Sequence, residues 1–255
     1  MSRFPNELRR WRTARRLSQL ELATRAGTTQ RHVSFVELGR SRPGRDVVMR
    51  LAESLDLTLR ERNDLLVSAG FAPAFPESPL DDAALRPIRE ALDRILDGHL
   101  PYPALVVRPH GILVTANRAF ELLHEDVDPA LLAPPVNLFR LALHPDGLAA
   151  RVRNLPAWGR HITGNLRSQL GRNPDPSLDA LLVELEGYLP PLPPQDDVLG
   201  FAVPLELGSA DGDLRLITTL TSFATATDVT LAELHLEAFL PADDRTGEVL
   251  RRRWG

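Results

Sequence analysis

The sequence predicts a multidomain chain: an all-α domain of five short helices in residues 1–70, then an α+β domain with an antiparallel sheet in residues 81–255. Three observations carry this reading. Short capped helical patterns follow one another as far as Ala69. A stretch with three prolines, Phe71-Ala72-Pro73-Ala74-Phe75-Pro76-Glu77-Ser78-Pro79-Leu80, then reads as a linker. Beyond it, β-rich runs flank a long helical stretch.

Composition narrows the class. The chain has 255 residues, enough for two domains, and its 43% hydrophobic fraction is ordinary for a globular protein. Residues 1–64 hold 14 Arg against 8 acidic residues, and the remainder holds 16 Arg against 26 acids, with no Lys anywhere. A basic head on an acidic body points to a polyanionic partner. The absence of cysteine excludes disulfides and thiolate metal sites. No apolar run approaches the ~20 residues of a membrane span. The charged start, Met1–Trp11, lacks the apolar core of a signal peptide, so the expected location is cytoplasmic, with no membrane contact.

Leu8, Trp11 and Arg12 open a first helical pattern that ends near Arg16. Ser18 and Glu21 form a capping box, with Leu17 and Leu22 as its hydrophobic staple, and start a second helix. Gly27 ends that helix. Thr29 is the expected N-cap of a third, in which Val33 and Val36 face inward. Gly39 closes it before the basic loop Arg40-Ser41-Arg42-Pro43. Val47, Val48, Leu51, Ala52 and Leu55 mark a fourth helix, and the capping box Thr58/Glu61 opens a fifth through Leu65, Leu66 and Ala69. A helix, a glycine turn and a helix at positions two and three make a helix-turn-helix.

Ser18-Gln19-Leu20-Glu21-Leu22-Ala23, Ala26-Gly27-Thr28-Thr29-Gln30 and Glu37-Leu38-Gly39-Arg40 resemble the XRE family, the lambda-repressor-like regulators, over about residues 5–70. That resemblance implies a third helix lying in the major groove of double-stranded DNA. Glutamine pairs well with an adenine edge and arginine with a guanine edge, which assigns Gln30 and Arg31 as base readers. Ser34 reaches a base or a phosphate, and Phe35 contacts a thymine methyl or packs elsewhere. Gln19 and Thr29, with Arg40 and Arg42, are the expected phosphate contacts. A homodimer reading an inverted-repeat operator is the expected assembly.

In the second domain, Asp81 or Asp82 caps a helix through Ile88, Leu92 and Leu96. Ala104–Val107 and Ile112–Thr115 form a hairpin about Pro109-His110-Gly111. Asn117 to Leu123 is a short helix, and residues 137–188 are helical, with Pro156 opening one helix and Ser177 capping another. Three strands are expected at residues 201–207, 214–223 and 229–240. Pro204 marks the first as an edge strand or a bulge. In the third, Glu233, His235, Glu237 and Phe239 alternate with Leu234, Leu236, Ala238 and Leu240, giving one mostly polar face. Helices over one face of an antiparallel sheet make a PAS-like arrangement.

Thr115-Ala116-Asn117-Arg118-Ala119, Asn137-Leu138-Phe139-Arg140-Leu141, His144-Pro145-Asp146-Gly147-Leu148, Asp228-Val229-Thr230-Leu231-Ala232-Glu233-Leu234 and Phe239-Leu240-Pro241-Ala242-Asp243 resemble the ligand-binding domain of the MmyB-like regulators. Family members often carry Ala-Trp-Asn where this chain has Thr115-Ala116-Asn117. The resemblance implies a PAS-like fold whose pocket takes a fatty acid or another acyl small molecule. Leu113, Leu138, Phe139, Trp158 and Phe223 are the expected lining, and Arg140, His144, Arg160 and His161 the expected partners of its carboxylate. The alternative is an antitoxin-like repressor whose C-terminal domain binds a protein partner. The seven histidines form no metal-binding pair, and there is no nucleophile elbow or phosphate-binding glycine loop, so no catalytic residue, metal or required cofactor is expected.

Overall fold

The computed structural model describes residues 3–190, 203–223 and 226–255. The chain divides into two compact units. One takes the chain as far as Leu80 together with the stretch ending at Ala232; the other takes Asp81–Phe223 and Glu233–Gly255.

The first unit has the five expected helices: α1 (Phe4–Ala14), α2 (Gln19–Arg25), α3 (Gln30–Glu37), α4 (Arg45–Ser54) and α5 (Leu59–Ser68). Both capping boxes are formed, Ser18 with Glu21 and Thr58 with Glu61. Gly27 turns the chain between α2 and α3 at φ +62°, a left-handed conformation that suits glycine. Leu8, Trp11, Leu22, Val33, Val36, Val48, Leu51 and Leu65 are buried together as one core. The proline-rich stretch is not loose. Asn63 accepts the N–H groups of Ala74 and Phe75 and donates to the Phe75 carbonyl, and Arg60 pairs with Glu77. Residues 71–80 therefore form an ordered strap that begins on α5.

In the second unit, Asp82 caps a single turn that runs into α6 (Arg86–Asp97). Strands β1 (Ala104–Arg108) and β2 (Ile112–Ala116) form the expected hairpin. Then come α7 (Glu121–His124), α8 (Leu138–Leu143), α9 (Leu155–Arg172) and α10 (Pro176–Tyr188). Pro156 lies in the first turn of α9 as expected. The cap of α10 is Asp175, which accepts the N–H groups of Ser177 and Leu178, rather than Ser177. Pro176 fits there because a first-turn residue needs no N–H.

The sheet is completed by β3 (Leu205–Ser209), β4 (Gly212–Ser222) and β5 (His235–Pro241), with the antiparallel order β2-β1-β5-β4-β3. Pro204 does precede an edge strand. Phe201 and Ala202, expected in that strand, lie outside the described residues. The strand expected at 229–240 is shorter: Val229–Ala232 is a helical turn, α11, and only the later part is β5. Asp228 caps that turn and diverts the chain from extended geometry. The last helix, α12 (Asp244–Trp254), is capped by Asp243 and packs on β4 and β5.

Helices cover the centre of the sheet on both faces rather than one, while Ile217–Ser222 of β4 stay exposed. Leu105 and Val107 belong to the main core with Leu205, Leu207, Leu214, Leu216, Phe239, Trp158 and Leu185. Ala104, Val106, Leu236 and Ala238 alternate with that set, are buried on the opposite face, and α6 packs against β1 and β2. The register pairs Leu105 with Glu237 and Val107 with His235. Cross-strand partners share a face. The polar side of β5, expected toward solvent, therefore faces the main core.

Burial pushes the Glu237 carboxyl up to about 7 from an ordinary value of 4.5. The folded chain holds this proton while the unfolded chain releases it near 4.5, so this contribution to stability is full below 4.5 and is lost as pH rises through about 7. Glu237→Gln is expected to raise the melting temperature by several degrees at pH 8.5 and to change it little at pH 4.5. Equal shifts at the two pH values would contradict the buried carboxyl.

Candidate nucleic-acid interface and sensory domain

The reading surface of the first unit is set from behind by a buried carboxylate. Glu37, the last residue of α3, has a side chain only 3% exposed. It accepts Arg12 Nε at 2.6 Å and Arg12 Nη2 at 3.0 Å, both from α1, and Gln19 Nε2 at 2.9 Å from α2. Arg12 also donates Nη1 to the Leu17 carbonyl at 2.8 Å. A buried carboxylate costs several kcal/mol unless it is paired and hydrogen-bonded. Here both oxygens are satisfied, and α1, α2 and α3 are fixed to one point. The sequence reading did not single out Glu37. Its signal was an acid in the last turn of a helix, where the helix dipole disfavours it.

With Val33 and Val36 held in the core, α3 turns Gln30 and Arg31 fully outward, with Ser34 and Phe35 half-buried beside them. The Arg31 guanidinium lies 5.1 Å from the centre of the Phe35 ring, which pre-orders the arginine across one turn. Thr29 uses its hydroxyl as the N-cap, accepting the His32 N–H at 3.1 Å. Thr28 Oγ1 and His32 Nδ1 meet at 2.9 Å and stiffen the turn. Gln19 is half-buried and commits its amide to Glu37. Arg40 and Arg42 are exposed in the loop after Gly39, whose φ is +68°. The Arg40 backbone is tied to the Phe35 carbonyl at 2.8 Å. Gln30, Arg31, Arg40 and Arg42 thus stand exposed at the two ends of α3.

The expected ligand residues of the second unit separate into two groups. Trp158 is buried in the main core, with Leu113, Leu138 and Phe139 packed against it. Phe139 is held close: a Cβ added at Gly111 would lie 2.6 Å from its ring. Phe223 is half-buried just past the end of β4. The polar candidates are already engaged. Arg140 grips Glu184 with both arms, Nε–Oε1 at 2.6 Å and Nη2–Oε2 at 2.8 Å. That pairing, with the Tyr188 hydroxyl at 2.7 Å, lowers the Glu184 carboxyl to about 2. His144 stacks edge-on against Tyr188 and lies 3.8 Å from Asp146. His161 is exposed and meets Asn165 at 3.2 Å.

The sequence reading missed the polar groups that do face the main core. Val107 and Ser222 flank His235, and Leu105 and Leu220 flank Glu237. His235 Nδ1 is buried with no hydrogen-bond partner among the described residues. Burial holds the imidazole below its ordinary value and so neutral, against the smaller pull of Glu233. The two side chains lie two residues apart on one strand, and their alternation with Leu236 was the signal. Two concavities are formed by described residues. One of about 510 Å³ lies between α1 and α5, beside Arg3, Trp11 and Asp64; the other, of about 250 Å³, is lined by Glu125, Arg151, Arg153 and Gly208. The second lies between the end of β3 and residues 150–153, and its lining is mostly polar. Among the described residues no His/Asp/Glu cluster is arranged to hold a metal ion, and no helix is long and apolar enough to cross a membrane.

Comparison with known proteins follows the same division. A helix-turn-helix family model matches residues 8–62. An uncharacterized HTH-type transcriptional regulator, y4dL, from Sinorhizobium fredii is 42% identical over 53 residues, which are 21% of this chain and 27% of that protein. The chain thus matches about a quarter of the length of that curated relative. Among solved structures, the restriction-modification controller protein C.AhdI from Aeromonas hydrophila is 36% identical, covering 24% of this chain and 92% of that one, at a TM-score of 0.23. An RNA-binding Light-Oxygen-Voltage receptor aligns with 97% of this chain and 61% of its own, at 17% identity and a TM-score of 0.25, too low to compare folds. The model of the MmyB-like transcription regulator ligand binding domain matches residues 88–252, well over half of the sequence, and the chain belongs to that family of regulators.

Proposed function

We propose that the protein is a transcriptional regulator that reads a DNA operator with α3 and adjusts that binding to an apolar small molecule held by its second unit. The single observation that carries the DNA reading is the locked, outward face of α3, with Gln30 and Arg31 exposed and Glu37 pinned behind them. Gln30 and Arg31 read base edges, with Ser34 and Phe35 beside them on the groove floor. Thr29, Arg40 and Arg42 hold the flanking phosphates, with Gln19 contributing the amide hydrogen that Glu37 leaves free. One such module makes few base contacts, so a homodimer on an inverted repeat, with half-sites about 34 Å apart, supplies the selectivity.

For the ligand, a fatty acid or similar acyl molecule fits the chemistry of the main-core face. Each buried methylene contributes about 0.8 kcal/mol before ordering costs. Arg140 and His144 already have carboxylate neighbours, so the head group is better served by Glu237, which in its neutral form donates one hydrogen bond to a carboxylate. The antitoxin-like reading, with a protein partner on the second unit, draws on the exposed apolar side chains of Val183 and Leu220.

Two outcomes are expected. With a duplex selected by the protein from a random pool, Arg31→Ala should cost roughly 1–3 kcal/mol of discrimination at one base position. Arg40→Ala should weaken all duplexes about equally and flatten the salt dependence. Unchanged base preference in Arg31→Ala would remove α3 from the groove. Delipidated protein should gain thermal stability with C12–C18 fatty acids, less at pH 8.5 than at pH 6 because Glu237 has lost its proton. No shift with any chain length would remove the acyl ligand, and mass spectrometry of small molecules extracted from purified protein would then distinguish another ligand from a protein partner.

A further inference from the structure

The family match spans residues 88–252, yet residues 226–232 inside it are packed with the helical head, not with the sheet on either side of them. The Val229 N–H donates to the Pro76 carbonyl at 2.8 Å, and the Ser78 N–H donates to Asp228 Oδ2 at 3.1 Å. The other oxygen of Asp228 caps α11, accepting the Thr230 N–H at 2.8 Å. One carboxylate thereby forms α11 and fastens it to the strap. Asp228 is 7% exposed and Val229 is fully buried, and α11 packs on α5. Asn63 and Arg60 hold residues 74–77 of the same strap on α5. The chain therefore leaves β4 after Ser222, is fastened to the head at Asp228 and Val229, and re-enters the sheet at His235.

We propose that residues 226–232 are a clip through which β4 and β5 control the DNA-binding head. Besides the continuous route through α6, sheet and head are then joined by this second one, fastened by the Val229 N–H on the Pro76 carbonyl and the Ser78 N–H on the Asp228 carboxylate. The clip is the shorter route from β5. Only Glu233 and Leu234 separate α11 from His235, and Glu237 lies two residues further along the strand. A change in β5 on ligand binding is delivered to Ser78 and Pro76, and through Asn63 to α5. A switch of this kind needs only that the ligand favour one state of the clip over the other. The inference rests on the DNA-binding reading above for its consequence, but not for the clip itself.

The test uses the full chain and two variants. Asp228→Ala removes the Ser78 bond and the α11 cap. Val229→Pro removes the N–H given to Pro76 and keeps an apolar side chain and the Asp228 carboxylate, because proline is tolerated at the first position of a helix. Hydrogen exchange should show the amide of Ser78 losing protection in Asp228→Ala, with α2–α4 unchanged in both variants. Freed from the clip, the strap lengthens the flexible connection of each head, lowering the effective concentration of the second head at its half-site. The affinity of both variants for the selected duplex should fall at least about threefold, with the slope against salt unchanged because the phosphate contacts stay. An unprotected Ser78 amide in the unaltered chain would overturn the clip. Lost protection with unchanged duplex affinity in both variants would leave a structural brace and overturn its control of the head. An unaltered chain that selects no duplex would overturn the DNA reading and the control claim together, and leave the exchange result standing.

Discussion

The arrangement of the head depends on one buried carboxylate. Glu37 draws Arg12 from α1 and Gln19 from α2 onto the end of α3, at 2.6–3.0 Å. The apolar contacts of Leu22, Val33 and Val36 supply most of the driving force for packing these helices, but hydrophobic contact is non-directional. A satisfied charge network is directional and expensive to leave half-made. It therefore selects one rotation of α3 among those the core would accept, and that rotation decides which side chains a groove would meet.

In the second unit the corresponding constraint is the burial of both faces of the sheet. Covering one face with α6 and the other with the α8–α10 and α12 helices leaves His235 and Glu237 of the middle strand, β5, only partly open to solvent. Its polar residues are then either partnered or held in an uncharged form. Burial favours that form in both, by making the His235 imidazole a weaker base and the Glu237 carboxyl a weaker acid.

Much of this was legible in the sequence. Ser18/Glu21, Thr58/Glu61, Gly27 and Thr29 fixed four boundaries of the head because each acts through bonds to its near neighbours, and such signals survive without knowledge of the fold. The hairpin about Pro109-His110-Gly111 and the edge position after Pro204 were legible for the same reason. The failures share a different cause. The inward turn of Glu237, the pairing of Arg140 with Glu184 and the fastening of Asp228 to Ser78 join residues 132, 44 and 150 positions apart or set by a distant strand. Alternation along residues 233–240 says that two faces differ, but not which of them is covered when both are. Asp228 carries a capping signal just ahead of the strand expected at 229–240, and the apolar pattern after it, which continues without a break, hides the helical turn.

The hold of Glu37 on the outward face of α3 is measured by a double-mutant cycle on duplex binding. Affinity for the selected duplex is measured for the unaltered chain, Arg12→Gln, Glu37→Gln and the double variant. Each single change strands a buried partner, so each should lose about tenfold or more, while the double variant should be no weaker than the worse single, a coupling of about 1.4 kcal/mol or more. Losses that simply add, or single variants that bind as tightly as the unaltered chain, would contradict it.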